Sequence, residues 1–203
     1  KNFNQCWIPD FDPGKNLSGE LSLIPENFIP AVYLGILSRF NANTTITTKK
    51  DIDLLVILSG PEPQRSLLEQ RLIKLLSDTG HECVILRGLP QNHDNIQFSK
   101  NLRLLNHASD EEFVQLISRS KKLVCRGGYS TIMDLVSLKR TAVLIPTPGQ
   151  TEQEYLAGYL AERNWFKTID QEQISLSDLF DVATQVRPEL PENNPQKLAT
   201  ILR

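Results

Sequence analysis

Short apolar runs rich in β-branched residues alternate along this chain with stretches of helical period, and that alternation limits the fold more than any other feature. The runs Val32–Gly35, Asp53–Leu58, Glu82–Leu86, Leu102–Leu105, Lys121–Cys125 and Ala142–Ile145 have strand length. A continuous apolar run of that size suits a strand covered on both faces. Between them, Gln64–Ser77 sets Leu67, Leu68, Leu72, Leu75 and Leu76 at spacings of one, four, three and one, which predicts a helix with one apolar stripe. Ser109–Ser118 repeats the pattern with Phe113, Leu116 and Ile117. There Ser109, followed three residues later by Glu112, predicts a capping box that satisfies the first free N–H groups of the helix. Tyr129–Ser137, Glu152–Arg163 and Ser177–Val186 read as further helices. Strands alternating with helices imply βαβ units, hence an α/β, doubly wound domain on a mostly parallel sheet.

Both ends break that rhythm. Asn4–Ile8 reads as a short strand, and residues 9–30, with Pro9, Pro13, Pro25, Pro30, Gly14 and Gly19, as a long irregular connection. At the other end Arg187–Pro195 carries three prolines and leads into Gln196–Leu202, a short amphipathic helix tethered to the domain. The length of 203 residues allows one large domain or two small ones, at about 100–200 residues per domain. Hydrophobic residues at 40% support a sizeable core and exclude a disordered chain. With 22 basic against 24 acidic residues the formal net charge is −2, which argues against a nucleic-acid partner. Cys6, Cys83 and Cys125 have apolar, strand-like neighbours and cannot all pair, so buried free thiols and a reducing, cytoplasmic setting are expected. No apolar run approaches the roughly 20 residues of a membrane span, and the start has no signal-peptide pattern. Lys1 in place of Met suggests a processed chain or an excised fragment.

In an open parallel sheet, ligands bind beyond the carboxyl ends of the strands, where loops lead into helix N-termini. Three such loops are rich in small or polar residues: Leu58-Ser59-Gly60-Pro61-Glu62-Pro63, Cys125-Arg126-Gly127-Gly128-Tyr129-Ser130-Thr131, and Ile145-Pro146-Thr147-Pro148-Gly149-Gln150-Thr151-Glu152-Gln153. The second is the most informative. Gly127 and Gly128 allow close backbone approach, the N–H groups around Tyr129–Thr131 open a helix whose positive end suits phosphate, and Ser130 and Thr131 add hydroxyl donors. The plainer alternative is a Gly-Gly turn that only starts a helix, with Ser130 or Thr131 as an ordinary cap. No Cys/His spacing forms a metal site, no Gly-x-Ser-x-Gly elbow occurs, and neither the Gly-Lys-Ser/Thr of a nucleoside triphosphatase nor the Gly-x-Gly-x-x-Gly of a dinucleotide site is present. His81, His93 and His107 read as polar turn or loop residues, because none has a visible partner for catalysis.

The run LVCRGGYSTIMDLVSLKRTAVLIPTPGQTEQEYLA, Leu123 to Ala157, resembles the donor-binding, C-terminal half of glycosyltransferase family 28, which includes the UDP-N-acetylglucosamine transferase of peptidoglycan synthesis. The family's pattern there is Arg/Ser-x-Gly-x-x-Thr-x-x-Glu at a helix start, followed by a Pro-containing strand and loop and an Asp-x-Gln-Gln helix. Earlier segments agree in order. Val32–Arg39 resembles the interdomain G-x-x-x-R stretch, Ser59-Gly60 the glycine loop after the first strand, and Cys6–Phe11 the exit from the acceptor-binding half. The resemblance implies a Rossmann-like half of a GT-B enzyme that binds a UDP-sugar, with no metal or other cofactor. Residues 1–30 would be the last strand of an acceptor domain plus linker, 31–187 the donor-binding domain, and 188–203 the Pro-rich linker and returning helix.

Carried over position by position, the resemblance puts the diphosphate on Gly127, Gly128, Ser130 and Thr131, with Arg39 and Arg126 offsetting its charge and Ser59 and Gly60 alongside. For Arg126 a surface ion pair is the alternative. Asp134 takes the place of the acidic ribose ligand, one methylene shorter than the family's Glu; the alternative is a solvated acid in the first helical turn. Backbone groups around Leu105-Asn106-His107 would hold the uracil. Gln153 keeps the first glutamine of the sugar-binding pair and Glu154 replaces the second. The base that activates the acceptor would lie on the preceding half, through which peripheral membrane association is also possible, and the acceptor (glycan, lipid-linked or small molecule) is open. Three other readings stand beside this one: the donor subunit of a two-chain transferase, a UDP-sugar 2-epimerase lacking its visible acid/base residues, and a non-catalytic nucleotide-sugar-binding module.

Overall fold

The computed structural model describes residues 3–25, 28–40, 49–91 and 95–180. Its strands are β1 (Cys6–Ile8), β2 (Ala31–Tyr33), β3 (Ile52–Ile57), β4 (Cys83–Leu86), β5 (Asn95–Gln97), β6 (Leu102–Leu105), β7 (Ser120–Cys125), β8 (Val143–Leu144) and β9 (Lys167–Thr168). The helices are α1 (Gln64–Leu76), α2 (Asp110–Arg119), α3 (Tyr129–Ser137), α4 (Thr151–Glu162) and α5 (Leu176–Phe180). Seven strands form one sheet in the order β5-β6-β4-β3-β7-β8-β9, parallel throughout except for β5 against β6. The α/β doubly wound expectation therefore holds. From β3 the chain steps outward to β4 and β6, then returns to β7 on the other side of β3. The order reverses between β3 and β7, and the crevice beyond their carboxyl ends is where such a sheet binds ligands.

Side chains along β3 alternate between two cores, as period-2 pleating requires. Leu54 and Val56 pack with Leu68, Leu72 and Leu76 of α1, whereas Leu55 and Ile57 face the side where Phe113 and Ile117 of α2, Ile132 of α3 and Leu156 of α4 are buried. Each such side chain contributes about 1.5–3 kcal/mol by leaving water. The α1 stripe is narrower than its leucines suggest: Leu68, Leu72 and Leu76 are buried, but Leu67 is 50% exposed. Buried Arg65 and Glu69 complete that face as an ion pair at 2.5 Å. The capping box of α2 is present, with Ser109 accepting from the Glu112 N–H and the Glu112 carboxylate accepting from the Ser109 N–H.

The N-terminal segment is irregular but anchored. β1 pairs in parallel with β2 as a separate two-stranded sheet. Between them Asp10, 1% exposed, accepts the N–H groups of Phe11, Leu17 and Ser18 and the Ser18 hydroxyl. The segment lies against α4: the Tyr155 hydroxyl accepts the Glu20 N–H at 2.8 Å and the Tyr159 hydroxyl bonds Asn16. Gly19 makes this approach possible, since a Cβ there would stand 2.4 Å from the Tyr155 hydroxyl and its φ is +57°. All three cysteines are free, but Cys6 is half-buried where burial was expected. The helix expected over Ser177–Val186 is seen as α5; its remainder, the 187/188 boundary, the Gln196–Leu202 helix and His93 lie outside the described residues. Among the described residues no helix is long and apolar enough to cross a membrane.

Candidate functional site

At the reversal point the loop after β7 runs Arg126-Gly127-Gly128 into α3. Gly127 is tightly packed: a Cβ there would meet the Gln153 carbonyl oxygen at 3.2 Å, so a side chain would push on the start of α4. Gly128 is not. It is the N-cap of α3 at φ −71°, ψ 133°, a conformation open to any residue, and a Cβ there would meet nothing within 4 Å. No side chain caps α3, so the N–H groups of its first turn are left for an external acceptor. Ser130 is exposed there and Thr131 half-buried. An uncapped helix start with open space before it is a natural seat for an anionic group.

Arg126 lies beneath this loop. It is 1% exposed and donates from Nη2 to the Gln64 carbonyl at 2.8 Å and from Nη1 to the Pro146 and Ile145 carbonyls at 3.2 and 3.3 Å. Burial pulls its pKa down to about 10. The surface ion pair considered from sequence is excluded by this burial, and the guanidinium faces backbone carbonyls. It stitches the loop to the start of α1 and to the exit of β8, while its Nε is left without a partner. Its charge still adds to the positive potential at the start of α3. The glycine loop after β3 joins the same web: Gly60, at φ +100°, places its Cβ direction 3.5 Å from the buried Thr147 hydroxyl, and Ser59 beside it is half-buried.

Asp134 sits in the second turn of α3, on the face of Ser130 one turn earlier. It is neither solvated nor in the first turn, as the plainer sequence alternative had it. Its side chain is 12% exposed, Oδ1 accepts the Ser38 hydroxyl at 2.7 Å, and Oδ2 stands 3.4 Å from Arg39 Nε. Burial raises its pKa, opposed by the Ser38 hydrogen bond and the Arg39 charge. Arg39 also bonds Asp110 at 2.6 Å and lies over the rings of Phe40 and Phe113. Arg39 thus reaches a carboxylate of α3 and one of α2.

The remaining candidates divide. Gln153 and Glu154, in the first turn of α4, bond their own loop: Gln153 Oε1 accepts the Thr147 N–H at 3.0 Å and Glu154 Oε1 accepts the Gly149 N–H at 2.8 Å. Asn106 is buried, with Oδ1 accepting from Arg87 Nη1 at 2.7 Å in a network that continues through Glu69 to Arg65. The carbonyls of Leu105 and Asn106 already accept the N–H groups of Arg87 and Leu89. The end of β6 is therefore more fully bonded than the open strand end expected from sequence, and His107 is exposed beside it. Sequence reasoning missed Ser38, Thr147 and the Tyr129 hydroxyl, which donates to the Pro9 carbonyl at 3.0 Å. Next to Tyr129 a cavity of about 620 Å³ opens between Pro9, Ser18 and Leu21 on one side and Thr151 and Tyr155 on the other. Among the described residues no three His, Cys, Asp or Glu side chains are grouped to hold a metal ion.

The sequence profile of the Glycosyltransferase family 28 C-terminal domain matches residues 64–201. No curated protein matches the chain by sequence. Among solved structures, the spinosyn forosaminyltransferase SpnP is 14% identical with a TM-score of 0.60, over 98% of this chain and 54% of that one. MurG of Acinetobacter baumannii is 18% identical with a TM-score of 0.52, over 87% and 52%. The glycosyltransferase VinC, solved in complex with DTDP, is 15% identical with a TM-score of 0.52, over 88% and 44%. At these identities the likeness establishes the fold. The chain spans about half the length of the solved structures it matches.

Proposed function

The chain belongs to the glycosyltransferase family 28 C-terminal domain family, and from that premise we propose that it is the donor-binding part of an inverting transferase that uses a UDP-sugar, an N-acetylhexosamine by the family resemblance. The diphosphate lies on the first turn of α3, where the N–H groups of Gly128 to Thr131 and the hydroxyls of Ser130 and Thr131 donate to its oxygens. Asp134 accepts from a ribose hydroxyl. Gln153 and Glu154 turn from the Thr147 and Gly149 amides to the sugar, and the uracil lies toward His107.

In the reaction an acceptor hydroxyl attacks the anomeric carbon, the bond from that carbon to the diphosphate oxygen breaks, and UDP leaves with the electron pair. The acceptor's proton passes to a base on the other half of the enzyme. This domain lowers the barrier by stabilising charge on the leaving diphosphate, through the helix end and the field of buried Arg126, without a metal. A cytoplasmic enzyme of cell-envelope glycan synthesis, reaching the membrane through its other half, suits this chemistry.

One observation carries the reading: Gly128 is a glycine that neither backbone conformation nor internal packing demands, at the uncapped start of a helix on the reversal point. Calorimetric titration with UDP, UDP-N-acetylglucosamine and GDP tests it. UDP and its sugar bind weakly, GDP binds less well, and the chain alone transfers nothing. Preference for GDP, or no nucleotide binding in the complete enzyme, overturns it.

A further inference from the structure

Asp134 has a shorter reach than the glutamate whose place it takes, yet its carboxylate is held on both oxygens by one segment of the chain. Ser38 Oγ accepts the Phe40 N–H at 3.0 Å, so its own proton is directed to Asp134 Oδ1 at 2.7 Å. Arg39 is fixed independently by Asp110 and by the Phe40 and Phe113 rings, and presents Nε to Oδ2. The Ser137 hydroxyl donates to the Phe40 carbonyl at 2.8 Å and clamps the segment to α3 itself. An ionised carboxylate offers about four acceptor positions. The Ser38 hydroxyl, the Arg39 guanidinium and the Arg39 N–H take three, and one remains. A helical turn, about 5.4 Å, separates Asp134 from Ser130, which suits the step from a nucleotide's diphosphate to its ribose.

We infer that Ser38 and Arg39 are positioning residues that fix the Asp134 carboxylate to accept a ribose hydroxyl of a nucleoside diphosphate. The inference rests on the reading of Asp134 as the ribose ligand. A fixed carboxylate compensates for the missing methylene, since a short side chain that wandered would lose the geometry the hydroxyl needs.

Titrations of the intact chain with UDP and with 2′,3′-dideoxy-UDP test it on Ser38→Ala, Ser38→Thr, Arg39→Met and Asp134→Ala. Ser38→Ala and Arg39→Met weaken UDP about three- to tenfold more than they weaken dideoxy-UDP, the worth of one hydrogen bond, and Ser38→Thr keeps UDP binding. Equal losses for both ligands, or no loss for UDP, overturn the positioning role. Should Asp134→Ala bind UDP like the parent, the ribose reading itself fails. Should Asp134→Ala lose UDP while Ser38→Ala and Arg39→Met do not, only the positioning role fails.

Discussion

Arg126 Nη2 donates to the Gln64 carbonyl oxygen at 2.8 Å, joining the loop after β7 to the first turn of α1 across the point where the sheet order reverses. With its bonds to Ile145 and Pro146, one buried side chain holds three loop ends in register. Arg126→Met removes all three donors. Each buried acceptor left without a partner costs about 1–3 kcal/mol, so urea denaturation shows a loss of at least about 2 kcal/mol, together with weaker UDP binding. Arg126→Lys keeps the charge without the fork and falls between the two.

Acid weakens both stability and binding, through carboxylates whose pKa values are shifted in opposite directions. Asp51, gripped by Arg119 at 2.8 and 2.9 Å, and Asp53, bonded to Lys121 at 2.6 Å, are held below the usual carboxylate range. A carboxyl whose pKa is lower in the fold stabilises above its unfolded value, about 3.9, and that contribution is lost as pH falls through the folded value. Melting temperature therefore drops below about pH 4, and less steeply in Asp51→Asn. Asp134 is shifted upward by burial. It takes up a proton at higher pH than Asp51 or Asp53, so on acidification UDP affinity declines before the melting temperature does, and Asp134→Asn removes that pH dependence.

Thiol reactivity separates the cysteines. Burial pushes Cys83 and Cys125 up to about 12, which leaves almost no thiolate at neutral pH. Iodoacetamide modifies half-buried Cys6 in the folded chain and reaches Cys83 and Cys125 only after denaturant is added, as mass spectrometry of the peptides will show.

Gly19 tests the docking of the N-terminal segment on α4. Gly19→Ala forces a Cβ to within 2.4 Å of the Tyr155 hydroxyl at a positive φ. Strain of that kind costs about 1–3 kcal/mol. Melting temperature falls, and hydrogen exchange rises in residues 10–23 more than in the central sheet.

Local signals carried most of the fold and long-range contacts hid the rest. The capping box at Ser109 and the apolar stripe of α2 depend on residues a few positions apart, and both are legible. β5 and β9 span three and two residues, with Ile96 of β5 43% exposed, so neither leaves a periodic trace. Gly127 and Gly128 look alike in the chain; only the packing against Gln153 shows that one serves the fold and the other does not. Ser38 stands 96 positions from Asp134, and Arg126 reaches Gln64 across 62. Spacing rules extend over a helical turn or a strand pair, so the partners that bury these charges could not be read from their neighbours.

If the first turn of α3 receives a nucleotide's diphosphate, Gly128→Ser blocks that seat from within. Serine is favoured over glycine at an N-cap, and its hydroxyl accepts the N–H of Ser130 or Thr131. The substitution therefore leaves the melting temperature unchanged or raised while competing with the ligand for those donors. UDP affinity falls about tenfold or more, the loss expected when a hydrogen bond to a charged group is removed. A Gly128→Ser chain of undiminished stability that binds UDP as tightly as the parent would contradict that seat for the diphosphate.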